Sequence, residues 1–222
     1  KAAAAGGRNS GAGSMIIKIC GIRDIAAAQA VVAGADMMGF IMSSRYWRYT
    51  EPATVKAICQ QVKPCQKVGV FVDESAAQVA ELARECHLDM VQLHGHETVE
   101  YGKELKKLLA HSSIGIIKAF RYGDDFTPEL ANSYPADMVL VDSYSRNTEG
   151  GSGVAFAWTQ ATDSIQQVRK PYLIAGGITK DNIQEAERIF HPYGLDVSSA
   201  LEVNKKKSPE LIREFLTKAG KL

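Results

Sequence analysis

From residue 15 onward, short runs of Val, Ile, Leu, Met and Phe alternate with longer stretches in which apolar residues recur every three or four positions. The short runs fit buried strands, and the three-to-four spacing fits amphipathic helices. The pattern predicts strands at 16–20, 37–42, 67–72, 90–94, 115–120, 138–142, 172–175 and 195–198. It predicts helices at 24–32, 52–62, 75–85, 97–109, 158–168, 179–189 and 209–218, with a less periodic segment at 125–133. Ser75, Thr179 and Ser208 stand where helix N-caps are wanted. Eight strand-helix units in succession imply an α/β chain closed into a parallel TIM-type (β/α)8 barrel, a single domain over 15–222.

Composition narrows the field. The formal net charge is +1 over 222 residues, which gives no electrostatic reason to expect nucleic acid or an anionic membrane as partner. A small anionic ligand fits that balance. No apolar run is long enough to span a bilayer. Residues 1–14 form an Ala/Gly/Ser tract without the apolar centre of a signal peptide, and are expected to be a disordered tail or a cloning remnant ahead of Met15. Cys20, Cys59, Cys65 and Cys86 show no Cys-x-x-Cys spacing, so reduced thiols in a cytoplasm are expected.

The ends of the predicted strands carry the chemistry. Polar residues recur at one parity in Lys18 with Cys20, Gln92 with His94, and Asp196 with Ser198, as expected for side chains converging on a barrel mouth. Cys20 and Asp142 each stand where a strand stops and a loop begins. Strands one and six of an evenly spaced barrel are separated by roughly 135 degrees, so this thiol and carboxyl would flank a ligand and shuttle protons across it. An isolated cysteine is more often a small buried hydrophobe, and an isolated loop Asp more often a cap. His94 and His96 raise the possibility of a metal site, but no third and fourth ligand follow at suitable spacing. His94 is expected to wall the pocket.

Eight motifs occur in order: KICG at 18–21, GAD with GF at 34–40, VGVFV at 68–72, VQLHG at 91–95, VLVDS at 139–143, GGSG at 150–153, AGGI at 175–178 and LDVSS at 195–199. In this order they resemble phosphoribosylanthranilate isomerase of tryptophan biosynthesis, over nearly the whole chain from Ile16. The resemblance implies a (β/α)8 barrel and an Amadori rearrangement of N-(5-phosphoribosyl)anthranilate. Cys20 then matches the general base and Asp142 the general acid, with no redox cofactor or metal required. Lys18 is a candidate to lower the thiol pKa, and burial or negative charge would help Asp142 keep its proton. The substrate's carboxylate calls for an arginine fork, which the family pattern places at Arg48, with Arg45 as the competitor. Its phosphate calls for backbone amides, expected at Gly176-Gly177 running into a helix and at Asp196, Ser198 and Ser199 on the last strand. Gly151 and Gly153 are expected in a loop that closes over substrate.

Two departures accompany the resemblance. After GGSG, Val154, Phe156, Ala157 and Trp158 stand where the family often has a basic residue and Phe-Asp-Trp. Ala200 and Leu201 replace Gly-Val in the usual Ser-Ser-Gly-Val-Glu, and a methyl at residue 200 would crowd the phosphate if that backbone needed positive φ. Other enzyme readings are sister barrels such as indole-glycerol-phosphate synthase or the histidine-pathway isomerase, which would use lysine with glutamate or two aspartates. A non-catalytic phosphate-binding scaffold is the reading from another class. Partners are otherwise limited to the small phosphorylated substrate, in a monomer or homodimer.

Overall fold

A computed structural model describes residues 15–142 and 153–222. The tract at 1–14 and the position Gly151 lie outside the described residues. Eight parallel strands close into a barrel in chain order: β1 (Ile16–Cys20), β2 (Met37–Ile41), β3 (Gln66–Phe71), β4 (Met90–Leu93), β5 (Gly115–Arg121), β6 (Met138–Asp142), β7 (Tyr172–Ala175) and β8 (Gly194–Val197). The helices outside them are α1 (Ile25–Val31), α2 (Pro52–Gln61), α3 (Ala76–Glu85), α4 (Val99–Leu108), α5 (Pro128–Ser133), α6 (Gly153–Ile165), α7 (Ile183–Phe190) and α8 (Pro209–Lys218). After β8 comes a 3-10 turn (Ser199–Leu201), and then a hairpin of β9 (Glu202–Val203) and β10 (Lys206–Lys207) that the hydrophobic pattern did not predict.

Alternation along each strand divides the apolar residues into two cores. Ile17 and Ile19 face outward to the helices, in a layer with Phe40, Val91, Val139 and Trp158. Met37, Val68, Met90, Ile117, Met138, Leu140 and Leu173 fill the barrel interior. Interior side chains therefore reach solvent only at the two ends, which leaves the mouth for polar groups.

Local signals set most helix starts. Ser75 accepts from Gln78 N at 3.3 Å and Ser208 from Leu211 N at 3.3 Å, as expected of N-caps. Thr179 does not cap a helix: residues 179–182 make a turn in which Asn182 Oδ1 accepts from Thr179 N, and α7 starts at Ile183. The fourth helix likewise begins at Val99, because the Glu97 carboxylate is drawn inward to Lys118 Nζ at 2.8 Å. The α6 helix starts five residues before the predicted 158, and Trp158 packs edge-on against Phe190 with ring centroids 5.6 Å apart.

The end of the barrel formed by the strand N-termini carries a repeated clasp. Asp36, Asp89 and Asp137 stand just before β2, β4 and β6. Their carboxylates accept from Ile17 N at 2.8 Å, Lys67 N at 2.8 Å and Ile116 N at 2.9 Å. Each backbone N–H of the same aspartates donates back to that residue's carbonyl at 2.9 Å. Each clasp thus ties an odd strand to the next even one, at a net gain on the order of 1 kcal/mol. At the fourth pair, Tyr193 N donates to Tyr172 O at 3.0 Å, but no aspartate precedes β8 directly.

Candidate active site

The opposite end encloses a cavity of about 410 Å³. Cys20, Asp142, Gly176, Asp196 and Ser198 reach it from the ends of four strands, joined by Gln92, His94 and Arg48. Cys20 and Asp142 stand three strands apart, through β8 and β7. The sequence-predicted pair thus faces one space from two sides.

Room for the thiol comes from the neighbouring strand. Gly39 is the register partner of Cys20, and a Cβ on it would lie 2.7 Å from Cys20 Sγ. One residue beyond Cys20, Gly21 takes φ +87°, and a Cβ there would meet Arg48 Cδ at 3.1 Å and Lys207 Nζ and Ser198 Oγ at 3.4 Å. The glycines of KICG and GAD…GF are therefore site residues.

Beneath Cys20, the wholly buried Lys18 donates to Asp196 Oδ1 at 2.9 Å. Burial pushes the Cys20 thiol up, Lys18 and then Lys207 pull it back, and Asp196 pushes it up again. Lys18 is thus the expected helper, but it is outweighed. Burial disfavours the thiolate more than the nearby ammonium groups favour it, a balance that the sequence leaves open.

His94 is held by Gln92, whose Nε2 lies 2.9 Å from His94 Nδ1. With the amide donating, Nδ1 is the acceptor and the ring's proton sits on Nε2. Burial, then Arg121, Lys18 and Lys118, depress the His94 pKa to about 3, so the imidazole is neutral. Gln92 Oε1 is buried without a hydrogen-bond partner. His96 instead pairs with Asp73 at 3.3 Å on an exposed surface, away from His94.

Arg48 lines the cavity, whereas Arg45 is engaged elsewhere, donating to Val72 O at 2.6 Å. Arg48 Nε and Nη2 each lie 2.8 Å from a carboxylate oxygen of Glu202. Lys207 Nζ donates to Glu202 Oε1 at 2.7 Å, to Ser198 O at 2.9 Å and to Ser198 Oγ at 3.1 Å. Ser198 Oγ in turn donates to Cys20 O at 3.0 Å. Arg48 and Lys207 hold the Glu202 carboxyl well down, at about 2, against the opposing effect of burial.

The predicted phosphate end is made of two turns. Gly176 and Gly177 both take positive φ, 90° and 70°, and meet Ser198 and Ser199 along the cavity wall. Because α7 starts at Ile183, these glycines do not run straight into a helix as expected. Ala200 is not among the residues with positive φ, so its methyl meets no backbone objection. Gly153 opens α6, beyond the end of β6. A wider cleft of about 830 Å³ lies at the other end, around Met37, Gln66 and Asp89 at strand N-termini, where parallel barrels keep stability and not chemistry.

A family model described as N-(5'-phosphoribosyl)anthranilate (PRA) isomerase matches residues 17–218. The chain belongs to the PRA isomerase family. A relative in Desulforamulus reducens, named N-(5'-phosphoribosyl)anthranilate isomerase, is 37% identical over 205 residues, covering 90% of this chain and 92% of that protein. The Thermotoga maritima phosphoribosyl anthranilate isomerase structure aligns with TM-score 0.79 at 29% identity, covering 94% of this chain and 100% of the other. A PRA isomerase solved with reduced 1-(o-carboxyphenylamino)-1-deoxyribulose 5-phosphate aligns with TM-score 0.77 at 28% identity, with the same coverage.

In this PRA isomerase barrel the strand-end motifs converge on one cavity, but two charged residues that contact its wall at Arg48 and Ser198 were missed by sequence reasoning. Glu202 and Lys207 sit on the β9–β10 hairpin, too short and polar to register as strands. The available signal was the Glu closing the Ser-Ser-x-x-Glu stretch at 198–202.

Proposed function

We propose that this cavity converts N-(5-phosphoribosyl)anthranilate to 1-(2-carboxyphenylamino)-1-deoxyribulose 5-phosphate, a step of tryptophan biosynthesis. The observation that carries the reading is Cys20 and Asp142 on opposite sides of a cavity whose third wall is the Gly176-Gly177 and Ser198-Ser199 turns.

Asp142 gives its proton to the furanose oxygen as the C1–O bond breaks, and the nitrogen lone pair forms C1=N. Cys20, as thiolate, then removes the proton from C2, and that electron pair forms C1=C2 and neutralises the nitrogen. Ketonisation moves a proton from the C2 hydroxyl to C1 through the acid-base groups, so no oxidant or metal takes part. The cationic C1=N group lies next to the carbon whose proton Cys20 removes, and its charge offsets the burial that raises the thiol. Backbone N–H groups of the two turns hold the phosphate, with Asp196, Ser198 and Ser199 shaping that end. Arg48 takes the anthranilate carboxylate, and neutral His94 offers Nε2–H to a substrate oxygen.

Four free thiols support a reducing, cytoplasmic setting. No helix among the described residues is long and apolar enough to cross a membrane.

The test is a fluorescence assay with freshly made N-(5-phosphoribosyl)anthranilate. Loss of substrate fluorescence catalysed by the purified chain, with no turnover of the indole-glycerol-phosphate synthase or histidine-pathway substrates, is the expected result. Turnover of either sister substrate alone would overturn the reading.

A further inference from the structure

Arg48 is restrained from three directions. Glu202 meets it in the guanidinium plane through Nε and Nη2, both at 2.8 Å. The Trp47 ring covers its face, with Cζ 4.1 Å from the ring centroid. Gly21 leaves open the space its stem occupies, since a Cβ there would lie 3.1 Å from Cδ.

The choice of nitrogens matters. Nε–H and one Nη2–H form the side fork of a guanidinium, while Nη1–H and the other Nη2–H form the end fork. Glu202 takes the side fork. One arginine can thus grip two carboxylates at once, so Glu202 is no competitor for an incoming one. Charge points the same way: Arg48 and Lys207 against Glu202 leave one net positive charge beside the cavity. Lys207 Nζ, fixed by Ser198 and Glu202, holds Glu202 from behind.

We propose that Glu202, backed by Lys207, is a positioning residue that aims the end fork of Arg48 at the substrate's aryl carboxylate, and so sets selectivity for an ortho-carboxyphenyl amine. The inference rests on the carboxylate role of Arg48 in the proposed function. Ordering the arginine before binding removes rotamer entropy that the complex would otherwise have to overcome.

The experiment is an equilibrium titration with two compounds: reduced 1-(o-carboxyphenylamino)-1-deoxyribulose 5-phosphate and its analogue lacking the carboxyl. Arg48→Met is expected to weaken the first by about tenfold or more and to leave the second within about twofold. Glu202→Gln is expected to reproduce that selective loss, by about fivefold, and to add nothing when combined with Arg48→Met. Should Glu202→Gln fail to fold, Glu202→Asp keeps the charge but is too short to span Nε and Nη2 together, and should show the same selectivity change. Equal weakening of both compounds by the Glu202 variants, or none, would overturn the positioning role while Arg48→Met remained selective. If Arg48→Met itself showed no selectivity, the carboxylate assignment beneath the inference would fall.

Discussion

The two ends of the barrel treat polar groups in opposite ways. At the strand N-termini, Asp36, Asp89 and Asp137 spend their carboxylates on backbone N–H groups of the preceding strand, in a pattern shared by β2, β4 and β6. At the strand C-termini, Gln92 Oε1 is buried without a partner, and His94 is forced neutral with a pKa of about 3. The Cys20 thiol there is raised by burial. One end is satisfied within the chain, and the other keeps a buried unpaired oxygen and a buried thiol beside its ion pairs. Stability and chemistry should therefore separate by end.

Among the largest breaks expected is Cys20→Ala. It should lower kcat/KM by about a thousandfold while leaving the denaturant midpoint near that of the wild type. Paired kinetic and urea measurements check this.

The pH dependence of stability comes next. His94 titrates near 6.5 when unfolded and at about 3 when folded, so the unfolded chain binds the extra proton. Its contribution is complete above pH 6.5 and is lost as pH falls toward 3, by up to about 1.4 kcal/mol per pH unit. His94→Gln should flatten that slope in denaturation curves taken between pH 7 and 5. Glu202, lowered to about 2 from 4.5, has the same sign in a more acidic window.

At the other end, Asp89→Ala should cost about 1 kcal/mol, and removal of all three aspartates about 3 kcal/mol, since the sites are separate. Activity at low temperature should stay within about twofold in each case. The smallest effect is Gln92→Leu, which removes a buried unpaired oxygen but also the donor to His94 Nδ1, so gain and cost should offset and stability should stay within about 1 kcal/mol of the wild type. The same change frees the His94 ring, so KM should rise. A loss of stability well above about 1 kcal/mol in Gln92→Leu would blur the contrast between the ends.

Most of the barrel was legible because strand runs and helix spacings differ in period, and because Ser75 and Ser208 signal helix starts through local hydrogen bonds. Thr179 misled because Asn182, three residues on, folds back to accept its N–H and makes a turn first. Glu97 misled because a buried ammonium at Lys118, distant in sequence, outweighs its helix propensity. At the site, motifs at strand ends brought Cys20, His94, Asp142 and Arg48 to one cavity. The Glu202 bridge to Arg48 was invisible, since 154 residues separate partners whose meeting depends on closure of the whole barrel. The net direction of the Cys20 shift was not legible for a related reason: sequence shows the helper Lys18 but not the depth of burial.

The most direct test of the account is kcat/KM of Asp142→Asn on N-(5-phosphoribosyl)anthranilate, measured on protein shown to be folded. Asparagine keeps the shape but holds no transferable proton, so the account predicts a loss of about a thousandfold or more, with binding of the reduced product analogue retained. Activity within about tenfold of the wild type would contradict the assignment of Asp142 as the acid, and with it the claim that chemistry belongs to this end of the barrel.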